Sequence, residues 1–248
     1  MKERLLRGEA SIGCSLMFPS IQMVEMFGAL GFDWVLIDCE HGSIGINDLD
    51  ALIAAAEGAG LSTVVRPESN DPVAIGRILD RGAQGLQIPH VSTADDARRA
   101  VAAARYLPQG ERGLAGGTRA SNYGIGFKPA DFVTRSNENV LVCVQIEHRE
   151  ALDHLDELVK IEGVDVFFVG PTDMSLSLGH PGNFDEPVVR QALERCYAAI
   201  RAAGKVAGTS GSGALLRDFR SLGARYMYTQ FQGILTEGRD RFRALLGD

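Results

Sequence analysis

Long apolar runs, basic clusters and paired cysteines are all scarce in this 248-residue chain, and each shortage removes a class of protein. No apolar stretch is long enough to span a bilayer, and the N-terminal segment MKERLLRGEA lacks the apolar core of a signal peptide. No Lys/Arg run interrupts a net charge of −7, so neither nucleic acid nor an anionic membrane is an expected partner. The four cysteines, Cys14, Cys39, Cys143 and Cys196, show no C-x-x-C spacing. Three of them fall in expected strands or helices, which suits reduced, buried thiols better than a disulfide framework. A cytoplasmic protein is the expectation.

Lysine is scarcer than its role in carbonyl chemistry would require. The chain has only Lys2, Lys128, Lys160 and Lys205. Lys205 begins a strand and belongs on the far face of the fold, and Lys128 lies in a long loop. No lysine is well placed for a Schiff base, so carbonyl chemistry here would need a metal as its electron sink. No G-x-G-x-x-G follows the first strand, which weighs against a dinucleotide-binding sheet.

What is present is a repeating unit of short apolar run, loop and amphipathic helix. Strands are expected at 11–15, 34–38, 62–66, 85–88, 140–147, 165–169, 205–208 and 224–229. Helices are expected at 21–30, 47–59, 72–81, 93–105, 151–159, 187–203, 215–222 and 234–246. Asn47 is a plausible cap with Gly60 as the stop, and Asp71 before Pro72 makes a cap-then-first-turn pair. Eight such units read as a single (β/α)8 TIM barrel over residues 1–248, with a doubly wound sheet as the runner-up. An excursion over 108–139 holds six glycines and a short expected helix at 130–135, a length that usually signals function or mobility.

The strand at 140–147 alternates so that Leu141, Cys143, Gln145 and Glu147 share one face, delivering a carboxylate at its C-terminal tip. Val166 to Asp173 repeats the plan of buried strand, tight turn and acid. Barrel active sites gather at strand C-termini, which singles out Glu40, His41, Arg66, His90, Gln145, Glu147, Thr172, Asp173, Thr209 and Ser210. Two carboxylates with an amide form an oxygen-rich site suited to Mg²⁺ or Mn²⁺, with Arg66 as an anion clamp and His41 as a base. Plainer readings stand beside these. Glu147 could pair with Arg149, Asp173 could cap a helix over 174–178, Arg66 could be a structural ion pair, and Asp80 could be surface.

Several segments carry a resemblance. They are Leu36-Ile37-Asp38-Cys39-Glu40-His41-Gly42, Val64-Val65-Arg66-Pro67, Ile78 to Gly85, Val144-Gln145-Ile146-Glu147 and Val169 to Ser175, with Arg112-Gly113 and Arg119 to Gly124 also fitting. Together they resemble the class II pyruvate aldolases of the HpcH/HpaI family, from about Gly13 to Gly208. The resemblance implies a divalent-metal aldolase that makes or cleaves 4-hydroxy-2-oxo acids, with pyruvate or hydroxypyruvate as enolate donor and an aldehyde as acceptor. It implies Glu147 and Asp173 as metal ligands for Mg²⁺ or Mn²⁺, with Co²⁺ a further candidate, and no organic cofactor. Gln145, Asp173 and the Thr172 backbone would hold the oxo acid, Arg66 would stabilise the enolate, and His41 would act as base with Asp80 supporting it. Asp80, late in a helix, would need a tilted helix or a neighbouring subunit to reach that base.

The same resemblance implies a homo-oligomer, a trimer or hexamer, with C-terminal helices exchanged. The apolar face of Ile234, Leu235, Phe242, Leu245 and Leu246 would allow that, though a barrel's own last helix would look alike. Tyr226 to Gly233, the Gly/Ser-rich stretch 209–213, His90 and Met174 depart from the family pattern and leave the aldehyde unspecified. A CoA-ester lyase or synthase of the citrate-lyase type, and a catalytically silent metabolite-binding barrel, are the competing readings.

Overall fold

Eight parallel strands hydrogen-bond in sequence order and close on themselves in the computed structural model, which describes residues 1–247. They are β1 (Ser11–Leu16), β2 (Trp34–Asp38), β3 (Ser62–Arg66), β4 (Gly85–Ile88), β5 (Leu141–Ile146), β6 (Val166–Val169), β7 (Val206–Ser210) and β8 (Ala224–Gln230). The outer layer holds α2 (Ile21–Ala29), α3 (Leu49–Gly58), α4 (Pro72–Asp80), α5 (Ala94–Ala104), α10 (Pro187–Ala202) and α11 (Gly213–Ser221), while α12 (Phe231–Leu246) buries only Phe231 and leaves the rest of its length exposed. The remaining helices are α1 (Lys2–Leu6), α6 (Pro129–Asn139), α7 (Arg149–Asp153), α8 (Leu155–Leu158) and α9 (Pro171–Ser177). The (β/α)8 barrel expected from the sequence is the fold that forms.

Period-two alternation splits the buried side chains into two cores. Leu141 and Cys143 join Trp34, Leu36, Val64, Phe168, Tyr226 and Tyr228 inside the barrel, sealed from below by Leu5 of α1. Val142, Val144 and Ile146 face outward with Val35, Ile37 and Phe167 into the helix layer. The interior is crowded, and glycines make the room. A Cβ on Gly13 would stand 2.4 Å from the Trp34 ring, and one on Gly208 would stand 2.8 Å from the Tyr226 ring.

Local chemistry explains most helix starts. Asp71 accepts the Ala74 N–H at 2.8 Å and Pro72 opens α4, as expected. Thr93 and Asp96 form a reciprocal capping box at α5. Asn47 is not a cap: α3 begins after Asp48, whose carboxylate instead accepts the Gly45 N–H at 2.8 Å. The helix expected at 151–159 is broken at His154 into α7 and α8.

The excursion 108–139 joins α5 to β5, so it lies at the N-terminal end of the barrel, away from the strand tips that carry the site. It contains a 3-10 turn at Arg119–Gly124 and the full helix α6, longer than the short helix expected. A groove of about 1380 Å³ runs beneath it, lined by residues such as Arg119, Tyr123 and Phe127. Buried Arg105 fastens its end, donating to the carbonyls of Asn137 (2.6 Å) and Val140 (2.8 Å) and to Asp165 (3.0 Å). Among the described residues no helix is long and apolar enough to cross a membrane.

Candidate active site

Asp38 closes β2 and Arg66 closes β3, opposite one another in the parallel ladder. Arg66 donates from Nε to Asp38 Oδ1 at 2.9 Å and from Nη2 to Oδ2 at 2.5 Å. Asp38 is fully buried, and the planar guanidinium meets its carboxylate at two points. The same carboxylate accepts the backbone N–H groups of Glu40 (3.0 Å) and His41 (3.3 Å), which shapes the turn after β2. Gly42 is required in that turn, since a Cβ there would stand 2.2 Å from the Asp38 carbonyl oxygen and 2.8 Å from that of Met17. One buried acid therefore places Arg66, Glu40 and His41.

Glu40 turns back over the barrel mouth. Its Oε2 lies 3.1 Å from Arg66 Nη1 and 3.6 Å from His41 Nε2, and its Oε1 lies 2.9 Å from His90 Nε2. That Oε2 is buried and accepts no hydrogen bond. Burial pushes the Glu40 carboxyl above its usual range, while the Arg66 charge pulls the other way. For Arg66 itself burial is the largest single influence and opposes the charge, but the hydrogen bonds to Asp38 together with the electrostatic influence of Tyr228, Asp38 and Glu40 hold the guanidinium's pKa above its ordinary value.

From β5 come Gln145 and, just past the strand, Glu147. The Gln145 Oε1 accepts from Gln87 Nε2 at 2.6 Å and from Arg66 Nη1 at 3.3 Å, and its Nε2 donates to Glu147 Oε2. The other Glu147 oxygen accepts the His90 backbone N–H at 2.8 Å, with His90 Nδ1 3.3 Å away. His90 has φ +57°, a left-handed conformation uncommon outside glycine, and in it the amide points at the carboxylate. Gly170 packs against Glu147 from β6, where a Cβ would stand 3.0 Å from the Glu147 Cβ and 3.4 Å from its Oε2. Glu147 does not pair with Arg149.

Thr172 and Asp173 follow in the first turn of α9, both exposed. Asp173 is not the helix cap, a position taken by Gly170, and among the described residues its side chain makes no hydrogen bond or ion pair. The Thr172 carbonyl accepts from Ser175 Oγ at 2.6 Å. A nearly buried glutamate and an unpaired aspartate on adjoining strand ends offer hard oxygen donors of the kind Mg²⁺ and Mn²⁺ take. Among the described residues no group of three or more His, Cys, Asp or Glu side chains is arranged to hold a metal ion.

The expected residues are thus brought together unevenly. Arg66, Gln145 and Glu147 share one hydrogen-bonded network, His41 stands at its rim with a side chain 61% exposed, and Thr172 and Asp173 follow, in the first turn of α9, the Gly170 that packs on Glu147. Asp80 is elsewhere. It ends α4, which runs antiparallel to the strands, and it accepts from Arg112 Nη2 at 2.7 Å at the barrel's opposite end. Within one chain it makes no contact with His41, so a tilted helix does not bring it there. Sequence reasoning passed over Asp38, Gln87 and the bridging positions of Glu40 and His90. Strand parity carried a signal for two of them: Asp38 shares a face with inward Trp34 and Leu36, and Gln87 shares one with Gly85.

The chain has relatives among known proteins. A 37% identical relative, the hydroxypyruvate/pyruvate aldolase of Sagittula stellata, aligns over 94% of this chain and 92% of its own length. The 2-keto-3-deoxy-L-rhamnonate aldolase of Escherichia coli O157:H7 is 42% identical over 84% of this chain and 77% of its own. A solved HpcH/HpaI aldolase/citrate lyase family protein from Burkholderia cenocepacia superposes with a TM-score of 0.91 at 33% identity, covering 98% of each chain. The family model for HpcH/HpaI aldolase/citrate lyase matches residues 13–231, from β1 to the start of α12, and the chain belongs to that family.

Proposed function

We propose that this chain is a class II aldolase that cleaves or forms 4-hydroxy-2-oxo acids, with pyruvate or hydroxypyruvate as the enolate donor and an aldehyde as the acceptor. The observation that carries the reading is the guanidinium of Arg66, held by Asp38 and Glu40 at the barrel mouth and bonded to the amide that also contacts Glu147. Glu147 and Asp173 would hold a divalent cation, Mg²⁺ or Mn²⁺ with Co²⁺ as a further candidate, and no organic cofactor is called for. When bound, that cation withdraws charge from the 2-oxo acid and so acidifies its C3 position.

The chain's own residues do the rest. In the cleavage direction His41 accepts the proton of the C4 hydroxyl as the C3–C4 bond breaks, releasing the aldehyde. The electron pair of that bond becomes the enolate, whose oxygen is stabilised by the fixed positive charge of Arg66. The proton held by His41, exchangeable with solvent, is then delivered to C3, which gives pyruvate and restores the free base. Gln145 has one amide hydrogen left for the oxo acid once Glu147 is bonded, and the Thr172 and Asp173 backbone N–H groups, in the first turn of α9 where intrahelical acceptors are lacking, would bind it with Gln145.

The support Asp80 would lend to His41 is assigned across a subunit boundary, from Asp80 of the partner subunit. Exposed Leu235, Phe242, Leu245 and Leu246 on α12 support a homo-oligomer, a trimer or hexamer built by exchange of that helix. The four buried, free thiols support a reducing, cytoplasmic setting.

Solvent-deuterium exchange into the pyruvate methyl group tests the reading. Exchange that depends on Mn²⁺ or Mg²⁺ and disappears in Glu147→Gln is the expected result. Exchange that survives EDTA would remove the metal mechanism, and no exchange at all would point to CoA-ester chemistry or a silent barrel.

A further inference from the structure

Beneath the catalytic mouth lies a line of buried polar groups, where a barrel interior would ordinarily be apolar. Tyr226 Oη donates to Gln87 Oε1 at 3.0 Å, Gln87 Nε2 donates to Gln145 Oε1 at 2.6 Å, and Gln145 Nε2 donates to Glu147 Oε2. Gln87 and Tyr226 are fully buried, and Gln145 is nearly so. A side-chain amide can be turned either way, so each of the two glutamines has two settings. Here both settings are decided by the ends of the line. Glu147 can only accept, so Gln145 must present its N–H to it. Arg66 can only donate, so it demands the Gln145 oxygen from the other side, 3.3 Å away. Gln87 must then donate to that oxygen, and its own oxygen must be met by a donor, which Tyr226 supplies.

The barrel is built to hold that donor still. The Tyr226 ring stacks on Trp34 with centroids 4.2 Å apart, and Gly13 and Gly208 are the two interior positions where a Cβ would strike these rings. Burial also pushes the Tyr226 phenol well above its ordinary pKa, so it keeps the proton it donates. The second Gln87 N–H reaches the Tyr228 hydroxyl at 3.5 Å.

We infer that Gln87 and Tyr226 are positioning residues for the metal site: they lock the Gln145 amide in the setting that orients Glu147 as a ligand. The inference rests on the proposed role of Glu147. With the Gln87 bond lost, the Gln145 oxygen is held only by the longer contact to Arg66, 3.3 Å, so the amide positions the Glu147 carboxylate less firmly. Outer-shell hydrogen bonds that orient a ligand typically change metal affinity about 10- to 100-fold.

Mn²⁺ binding to the metal-free protein, followed by calorimetry and by the EPR signal of free Mn²⁺, tests the inference without using activity. Tyr226→Phe keeps the ring and its stacking and removes only the donor, and it is expected to weaken Mn²⁺ binding about tenfold. Gln87→Leu is expected to do at least as much. In a Gln145→Leu background, Tyr226→Phe should add nothing, because the group it acts through is gone. A merely structural role would lower thermal stability yet leave the Mn²⁺ affinity of the folded protein and this non-additivity unmoved. A folded Tyr226→Phe protein with wild-type affinity would overturn the inference, as would a Gln145→Leu protein that binds Mn²⁺ normally. Wild-type protein that binds no Mn²⁺ would overturn the proposed metal aldolase as well, which separates the two failures.

Discussion

Arg66 and Asp38 stand across the β2–β3 ladder from one another, joined at two points by bonds of 2.9 and 2.5 Å. The pairing fixes both the direction and the charge of the guanidinium before any substrate arrives. Arg66→Lys preserves the charge and loses the two-point geometry, because an ammonium is a point charge on a flexible stem. The expected outcome is a fall in kcat of about 10²-fold or more for pyruvate deuterium exchange, the scale seen when one transition-state donor is lost. Equal kcat in wild type and variant would remove Arg66 from the reaction.

The glycine at position 13 is a packing requirement. An alanine there would push its methyl to 2.4 Å from the Trp34 ring, which is hemmed in by Tyr226 and Tyr228. Overpacking of this kind costs about 1–3 kcal/mol, and Gly13→Ala should lower the urea midpoint of unfolding accordingly. An unchanged midpoint would show that the interior yields more easily than its contacts imply.

The thiols give a pH signature. Burial pushes Cys14, Cys39 and Cys196 up to about 12, and Cys143 well above its ordinary value. A thiol whose folded pKa is raised contributes stability below its unfolded pKa, and that stability is lost as pH rises toward the folded value. The native protein should therefore resist a thiol reagent at pH 8, release four reactive thiols per chain in guanidinium, and lose thermal stability progressively above about pH 9. Prompt labelling of the native chain at pH 8 would contradict the burial.

Much of this protein could be read without coordinates, for reasons that differ between residues. The face of β5 that carries Leu141, Cys143, Gln145 and Glu147 follows from strand parity alone, and the two cores divide along that line. The placement of Arg66 and Glu147 at strand tips was legible because both follow an apolar run of strand length. The cap at Asn47 was misjudged because Asp48 competes one residue later, a choice made by local hydrogen bonding rather than by composition. His90 offered no pattern at all. Its role as a bridge between Glu40 and Glu147 depends on a left-handed backbone that periodicity does not encode.

By itself the chain's order of residues determined eight strand–helix units, which side of each strand is buried, and the acids and cations at the strand tips, because periodicity and turn chemistry act over a few neighbours. Only the closed barrel decided which of those groups meet. It joined Arg66 to Gln145, 79 positions apart, and Tyr226 to Gln87, 139 apart, and it left Asp80 at the opposite end from His41. Such contacts are set by register and closure, which sum over all eight strands at once, so no local stretch contains them.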